Sequence, residues 1–204
     1  MLRDTAVARI HLTLAFRSDQ SDNIIQALKE VQEALEHEPS LPLFLRKVYD
    51  NPFYTTTGIR TVDLPSDFLR EDEDDQLSVE GGDPLVKDQM GELRLRYPDT
   101  GVPVKYALVD KQLHLFPLPD DEYNLVGTYL AKDSVLNTNI ENKWLENIPD
   151  LLIGNAGMLI AAGLRDQTAL QLFAGLAASA RTKIAYTSTA HEAAGSKPVM
   201  GGDN

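Results

Sequence analysis

Apolar positions along this chain change period twice, and the changes divide it. Over residues 4–17, Val7, Ile10 and Leu14 recur at helical spacing, with Leu2 or Phe16 on the same side, which predicts a first helix. A polar break at 18–23 supplies candidate caps, Ser21 foremost, and Ile24, Ile25, Leu28, Val31 and Leu35 carry a second helix to about His37. Pro39 and Pro42 stop it. From Val48 the period shortens: residues 54–57 and 59–62 are rich in β-branched side chains, and residues 64–67 read as a turn. Residues 105–109, 112–116 and 123–130 then read as three antiparallel strands, turning at 110–111 and 117–121. The helical period returns between Asn142 and Tyr186 as two helices joined by a turn at 163–166. Leu145, Leu151, Leu152, Ala156, Leu159 and Ile160 line the first; Ala169, Leu172, Phe173, Leu176, Ala177, Ala180 and Ile184 line the second. Pro149 falls early enough in the first to make one kink or one cap.

This order predicts an α+β fold, mainly α: a four-helix bundle with a β-rich insertion between the helix pairs. The bundle core takes residues 1–47 and 135–186, the insertion 48–134, and a flexible C-terminal tail 187–204, where the period is lost. The rear hairpin is rich in small residues, among them Gly154, Ala156, Gly157, Ala161, Gly175, Ala177 and Ala180. Small residues let helix axes approach closely but bury little apolar area each. Such a hairpin needs a neighbour, from its own chain or from another copy.

Composition narrows the chemistry. The chain has 204 residues, 43% of them hydrophobic, and no cysteine, which removes disulfides, thiol nucleophiles and cysteine-ligated zinc. The amino-terminal stretch does not read as a signal peptide, and no run of about 18 apolar residues suggests a membrane span. Synthesis in the cytoplasm, with no membrane partner, is the expectation. The net charge of −12 argues against ordinary duplex binding. Between residues 63 and 92 eleven acidic residues face only Arg70 and Lys87, so nine of the twelve excess charges fall in one block. Its centre is Glu71, Asp72, Glu73, Asp74 and Asp75. Two readings stay open there: a solvated loop that aids solubility, or an electronegative surface that repels nucleic acid.

No catalytic or cofactor-binding constellation is evident. His191-Glu192 lacks the second histidine of a zinc-protease helix, and His11, His37, His114 and His191 share no ligand spacing. Residues 72–75 resemble a calcium loop only in charge. There is no nucleophile elbow, phosphate loop or dinucleotide fingerprint. No catalytic, cofactor or metal residue is assigned, and the protein reads as a non-enzyme.

Four segments carry a family resemblance. Leu35-Glu36-His37-Glu38-Pro39, continuing to Leu43-Phe44-Leu45, is the first, and Thr61-Val62-Asp63-Leu64-Pro65-Ser66-Asp67-Phe68-Leu69 the second. Leu113-His114-Leu115-Phe116-Pro117-Leu118-Pro119-Asp120-Asp121-Glu122-Tyr123 is the third. The fourth is Asn142-Lys143-Trp144-Leu145 with Ile148-Pro149-Asp150-Leu151-Leu152 and Ala161-Ala162-Gly163-Leu164-Arg165-Asp166. In this order and spacing the chain resembles the head–tail adaptor (connector) proteins of tailed bacteriophages. The resemblance implies a structural virion protein at the head–tail junction. It implies a homo-oligomeric ring of about twelve subunits below the portal protein, handing it on to a tail nozzle or other tail protein. Genomic DNA would pass through the channel without specific binding, past an acidic wall if residues 71–75 line it. The C-terminal segment would grip the portal through Pro198, Val199 and Met200. Alternatives are another virion completion or baseplate protein, or an enzyme with an unrecognised carboxylate site.

Overall fold

The computed structural model describes residues 2–15, 17–39, 42–49, 53–136 and 140–195, for Ser18 and residues 185–195 by backbone alone. In chain order the elements are α1 (Arg3–Thr13), α2 (Ser21–Glu36), β1 (Arg46–Val48), β2 (Thr61–Asp63), β3 (Phe68–Glu71), β4 (Ser78–Val79) and β5 (Val86–Lys87). Then come α3 (Met90–Arg96), β6 (Lys105–Val109), β7 (Gln112–Phe116), β8 (Leu125–Val126), β9 (Thr128–Ala131), α4 (Lys143–Asn147), α5 (Pro149–Leu164) and α6 (Gln167–Gly195). They form two compact units, Met1–Phe44 with Asp133–Asn204, and Leu45–Lys132.

The first unit is built around α5. Leu151 to Gly154, Ala156, Gly157 and Ala161 are buried, so this helix is apolar on most of its circumference. A helix apolar all round is stable only when covered on several sides, and α1, α2, α4 and α6 all pack on it. Two glycines set the closest contact. A Cβ at Gly154 would lie 2.8 Å from the Ala177 amide nitrogen and 2.9 Å from the Phe173 carbonyl oxygen. One at Gly157 would sit 2.4 Å from the Phe173 ring. The small residues of this face are therefore consumed inside the subunit by the α5–α6 crossing.

Pro149 breaks the rear hairpin where a kink or cap was expected. Ile148 leaves the helical region (φ −140°, ψ 56°), which the residue before a proline disfavours, so α4 ends there and α5 restarts with proline in its first turn. Arg165, with a left-handed φ of 58°, closes α5. α6 then continues to Gly195, past the expected end at 186.

In the second unit, β1, β9 and β3 form a three-stranded antiparallel sheet with β9 central. β2, β7, β6 and β5 form a second sheet in that order, antiparallel except for the β5–β6 pair, and β4 pairs with β8. Leu113 and Leu115 of β7 and Tyr106 of β6 share a core with Tyr49, Leu125 and Tyr129. The alternate residues, Ala107 and Phe116, cover Leu93 of α3 on the other face of the same sheet. The β6–β7 hairpin turns through Asp110 and Lys111, both at positive φ.

The fold is thus a mixed α/β one, with six helices and nine strands among the described residues, and the expected mainly α, four-helix bundle is corrected. Four equivalent amphipathic helices would share one core; here a single apolar helix is wrapped by the others. Leu159 and Leu172, expected on the contact faces, are more than half exposed. The helix α3 lies where only strands and turns were expected. Its seven residues present one fully buried position, Leu93, too little for a period to show.

Candidate functional site

In the first unit, Glu36 is buried at the last turn of α2, with Gln32 one turn before it. Its Oε1 accepts from Gln32 Nε2 (2.9 Å), the Asp133 amide (3.2 Å) and Trp144 Nε1 (3.4 Å). Asn142 donates to Gln32 Oε1 (3.1 Å) and the Ser134 carbonyl (2.8 Å), while its Oδ1 caps α4 by accepting from the Leu145 amide. Phe44 meets the Trp144 ring edge-on at 5.3 Å. The first and fourth segments of the resemblance, far apart in sequence, are thus brought together in one buried network.

The second segment performs a similar task in the other unit. Asp67 accepts from Lys47 Nζ (3.1 Å) and Tyr129 Oη (2.9 Å). Burial alone would raise its carboxyl; the hydrogen bonds from Tyr129 and Lys47 outweigh it and hold the group below its ordinary value. The Tyr129 phenol is pushed up to about 12 by burial and then by the Asp67 carboxylate.

The acidic stretch divides into groups the fold uses and groups it leaves to solvent. Asp72 is buried; its carboxylate faces the Arg46 guanidinium, accepts from Thr128 Oγ1 (2.7 Å) and caps the Asp74 amide (3.1 Å). Glu71, half-buried, accepts from Lys87 and from Tyr106 Oη. Burial, with Glu71 beside it, raises the Tyr106 phenol. A cavity of about 270 Å³ lies here, lined by Tyr49, Glu71, Leu77, Leu85, Lys87 and Tyr106 among others. Asp74 is exposed yet bonded to Arg46 (2.7 Å), and Glu73 and Asp75 are exposed. So Glu71 and Asp72 anchor a turn, and Glu73, Asp74 and Asp75 form its tip.

Pro198, Val199 and Met200 lie outside the described residues. Among the described residues no three His, Asp or Glu side chains are grouped to hold a metal ion, and no helix is long and apolar enough to cross a membrane. The carboxylates with resolved geometry bind cations, hydroxyls and amides of their own chain, which is the work of holding a shape.

Residues 2–199 match the family model of the SU10 adaptor protein. The chain belongs to this phage adaptor family. No curated protein matches it. The match spans nearly the whole adaptor, both units included, and bears out the resemblance drawn from the four segments. As a member of a phage structural family the adaptor is a virion component that interacts with other virion proteins.

Sequence reasoning missed the Glu36 network. Its signal was available: Gln32 and Glu36 fall on the same helical stripe as Leu28 and Leu35, polar residues at core positions. It missed a basic cluster at Arg60, Arg94 and His114 as well, since three residues scattered over 55 positions have no pattern in a linear chain.

Proposed function

We propose that the adaptor is a head-to-tail connector: one subunit of a ring of about twelve copies beneath the portal, joining it to the tail and letting the genome pass. The family match over residues 2–199 carries this reading. The structure supports it in kind, because Glu36, Asp67 and Asp72 are engaged in hydrogen bonds and ion pairs that join segments of their own chain. The outer side of the α5–α6 hairpin keeps Leu159 and Leu172 available for a neighbour. A net charge of −12 suits a wall along which DNA slides without being held. The C-terminal segment with Pro198, Val199 and Met200 is the proposed portal grip.

Purified adaptor mixed with portal rings tests this. Native mass measurement is expected to show about twelve added copies, and truncation after Gly195 to abolish the addition. Portal rings that gain no adaptor would remove the reading. For the channel wall, reversing Glu73 and Asp75 together is expected to slow DNA ejection; Asp72 and Asp74 are left out because both pair with Arg46. Unchanged ejection would place these carboxylates away from the channel.

A further inference from the structure

Two charge features of the Leu45–Lys132 unit are only partly compensated by that unit's own fold. The first lies on the α3 face of the β2-β7-β6-β5 sheet. The Arg60 guanidinium stands 4.2 Å over the Phe116 ring, with Nη1 buried and unpaired. His114 is opposite Ala107 in the β6–β7 register, so it shares the face that carries α3. Leu93 pins α3 to that face, and Arg94 is the next residue of the same helix. The proximity is felt electrostatically: burial, then Arg94, then Arg60 lower the His114 imidazole, against an opposing pull from Asp110. Arg60 is lowered by burial and then by Arg94.

Neighbouring cations on this face are already matched, Lys105 by Asp88 at 2.7 Å and Arg96 by Glu92 at 3.4 Å. Arg60 and Arg94 enter no ion pair among the described residues. Gathering like charges with only Asp110 to oppose them is unfavourable, and an arriving carboxylate would relieve it. Leu95, next to Arg94, is 84% exposed and offers an apolar contact beside the charges.

The second feature is the acidic tip, in which Asp74 is paired with Arg46 while Glu73 and Asp75 are left to solvent. It lies on the other side of the same sheet. Glu71, which leads into the tip, is bound by Tyr106, and Tyr106 points into the core shared with Tyr129, away from Ala107 and His114. One unit therefore shows an anionic tip on one side and a cationic cluster on the other.

The geometry points to a head-to-tail contact between copies of this chain, in which the Glu73–Asp75 tip of one copy docks on the Arg60–Arg94–His114 cluster of the next. A patch and its complement on opposite sides of one body make a heterologous contact, and such contacts close into rings when the rotation allows. Guanidinium groups take carboxylates in a bidentate fork, which fixes the register of neighbours as well as attracting them. The inference rests on the ring reading above and names the surfaces that would join its subunits.

Sedimentation of the full chain over a range of protein and salt concentrations tests it. The wild type is expected to self-associate, less so as salt screens the contact. Arg94→Glu, at an exposed position, is expected to weaken association about tenfold or more, and Glu73→Lys with Asp75→Lys to do the same. Mixing these two variants then restores association, because each interface in an alternating assembly pairs opposite charges again. A wild type that stays monomeric throughout, an Arg94→Glu chain that associates normally, or a mixture that stays dissociated overturns the contact. So does loss of phosphate or duplex DNA binding in Arg94→Glu with association intact, which would make the cluster an anion site. Portal binding that survives any of these results leaves the adaptor reading standing and removes only this contact.

Discussion

Glu36 shows how one buried carboxylate can decide a local structure. Three N–H groups converge on its Oε1, from α2 itself, from the Asp133 amide and from the Trp144 indole. Glu36→Ala would strand the Asp133 amide and the Trp144 indole N–H and leave Gln32 Nε2 only the Ser134 carbonyl, and each unsatisfied donor costs about 1–3 kcal/mol. The expected loss is about 3 kcal/mol, against about 1 kcal/mol for Glu36→Gln, which keeps an acceptor oxygen. Urea denaturation followed by the fluorescence of Trp144, the single tryptophan, measures both; equal losses for the two variants would contradict the hydrogen-bond account. The Asp67–Lys47–Tyr129 group sets two limits on pH. Asp67 is held below its ordinary 3.8 in the fold, so its contribution is complete above that value and is lost as pH falls through the lower folded one. Tyr129 is raised from 10.0 to about 12, so its contribution is complete below pH 10 and is lost as pH rises towards 12. Asp67→Asn is expected to flatten the acid limb of the stability profile and Tyr129→Phe the alkaline limb. A profile whose limbs are unmoved by these changes would show that the group is not linked to folding.

At the scale of elements, the glycines of the rear helices separate two kinds of position that look alike in sequence. A Cβ at Gly154 would meet backbone atoms of α6 within 2.9 Å, and backbone cannot give way as a side chain can. Gly154→Ala is expected to destabilise by about 1–3 kcal/mol through overpacking, despite the better helix propensity of alanine. Gly175, within α6, has open space around it, so Gly175→Ala is expected to stabilise the free subunit by about 0.5–1 kcal/mol. Thermal denaturation of the two variants compares them directly, and the same sign for both would refute the crossing described here. The long helices and the β6–β7 hairpin were legible because Leu28, Val31 and Leu35, or Leu113 and Leu115, repeat a period that survives noise. The burial partition was not. Leu172 fits the helical period of α6 yet faces out, while Ala169, Phe173, Ala177 and Ala180 take the contact. Which stripe of an alanine-rich helix turns inward depends on where a partner backbone approaches, and no single helix encodes that. The same holds for the acidic stretch: nothing local distinguishes Asp72, folded against Arg46, from Asp75, left in water.

For the whole molecule, the way the chain enters and leaves the Leu45–Lys132 unit carries a consequence for folding. Entry is through β1 and exit through β9, and these strands pair antiparallel, Arg46 opposite Leu130 and Val48 opposite Thr128. The two ends of the unit are therefore fixed side by side by its own hydrogen bonds. A unit closed in this way owes nothing to the helices for bringing its ends together, and it has its own core around Tyr106, Leu115 and Tyr129. Residues 45–132 made alone are expected to fold, with dispersed amide resonances and one cooperative unfolding transition of several kcal/mol. The Asp67 and Tyr129 limbs of the pH profile should persist in that fragment, since both partners lie within it. In the full chain, Glu36→Ala is then expected to raise amide exchange in α2 and α5 while leaving β6 and β7 protected, because the network it breaks is confined to the other unit. A fragment with random-coil amide dispersion, or exchange that rises equally in both units, would mean that the two cores fold as one.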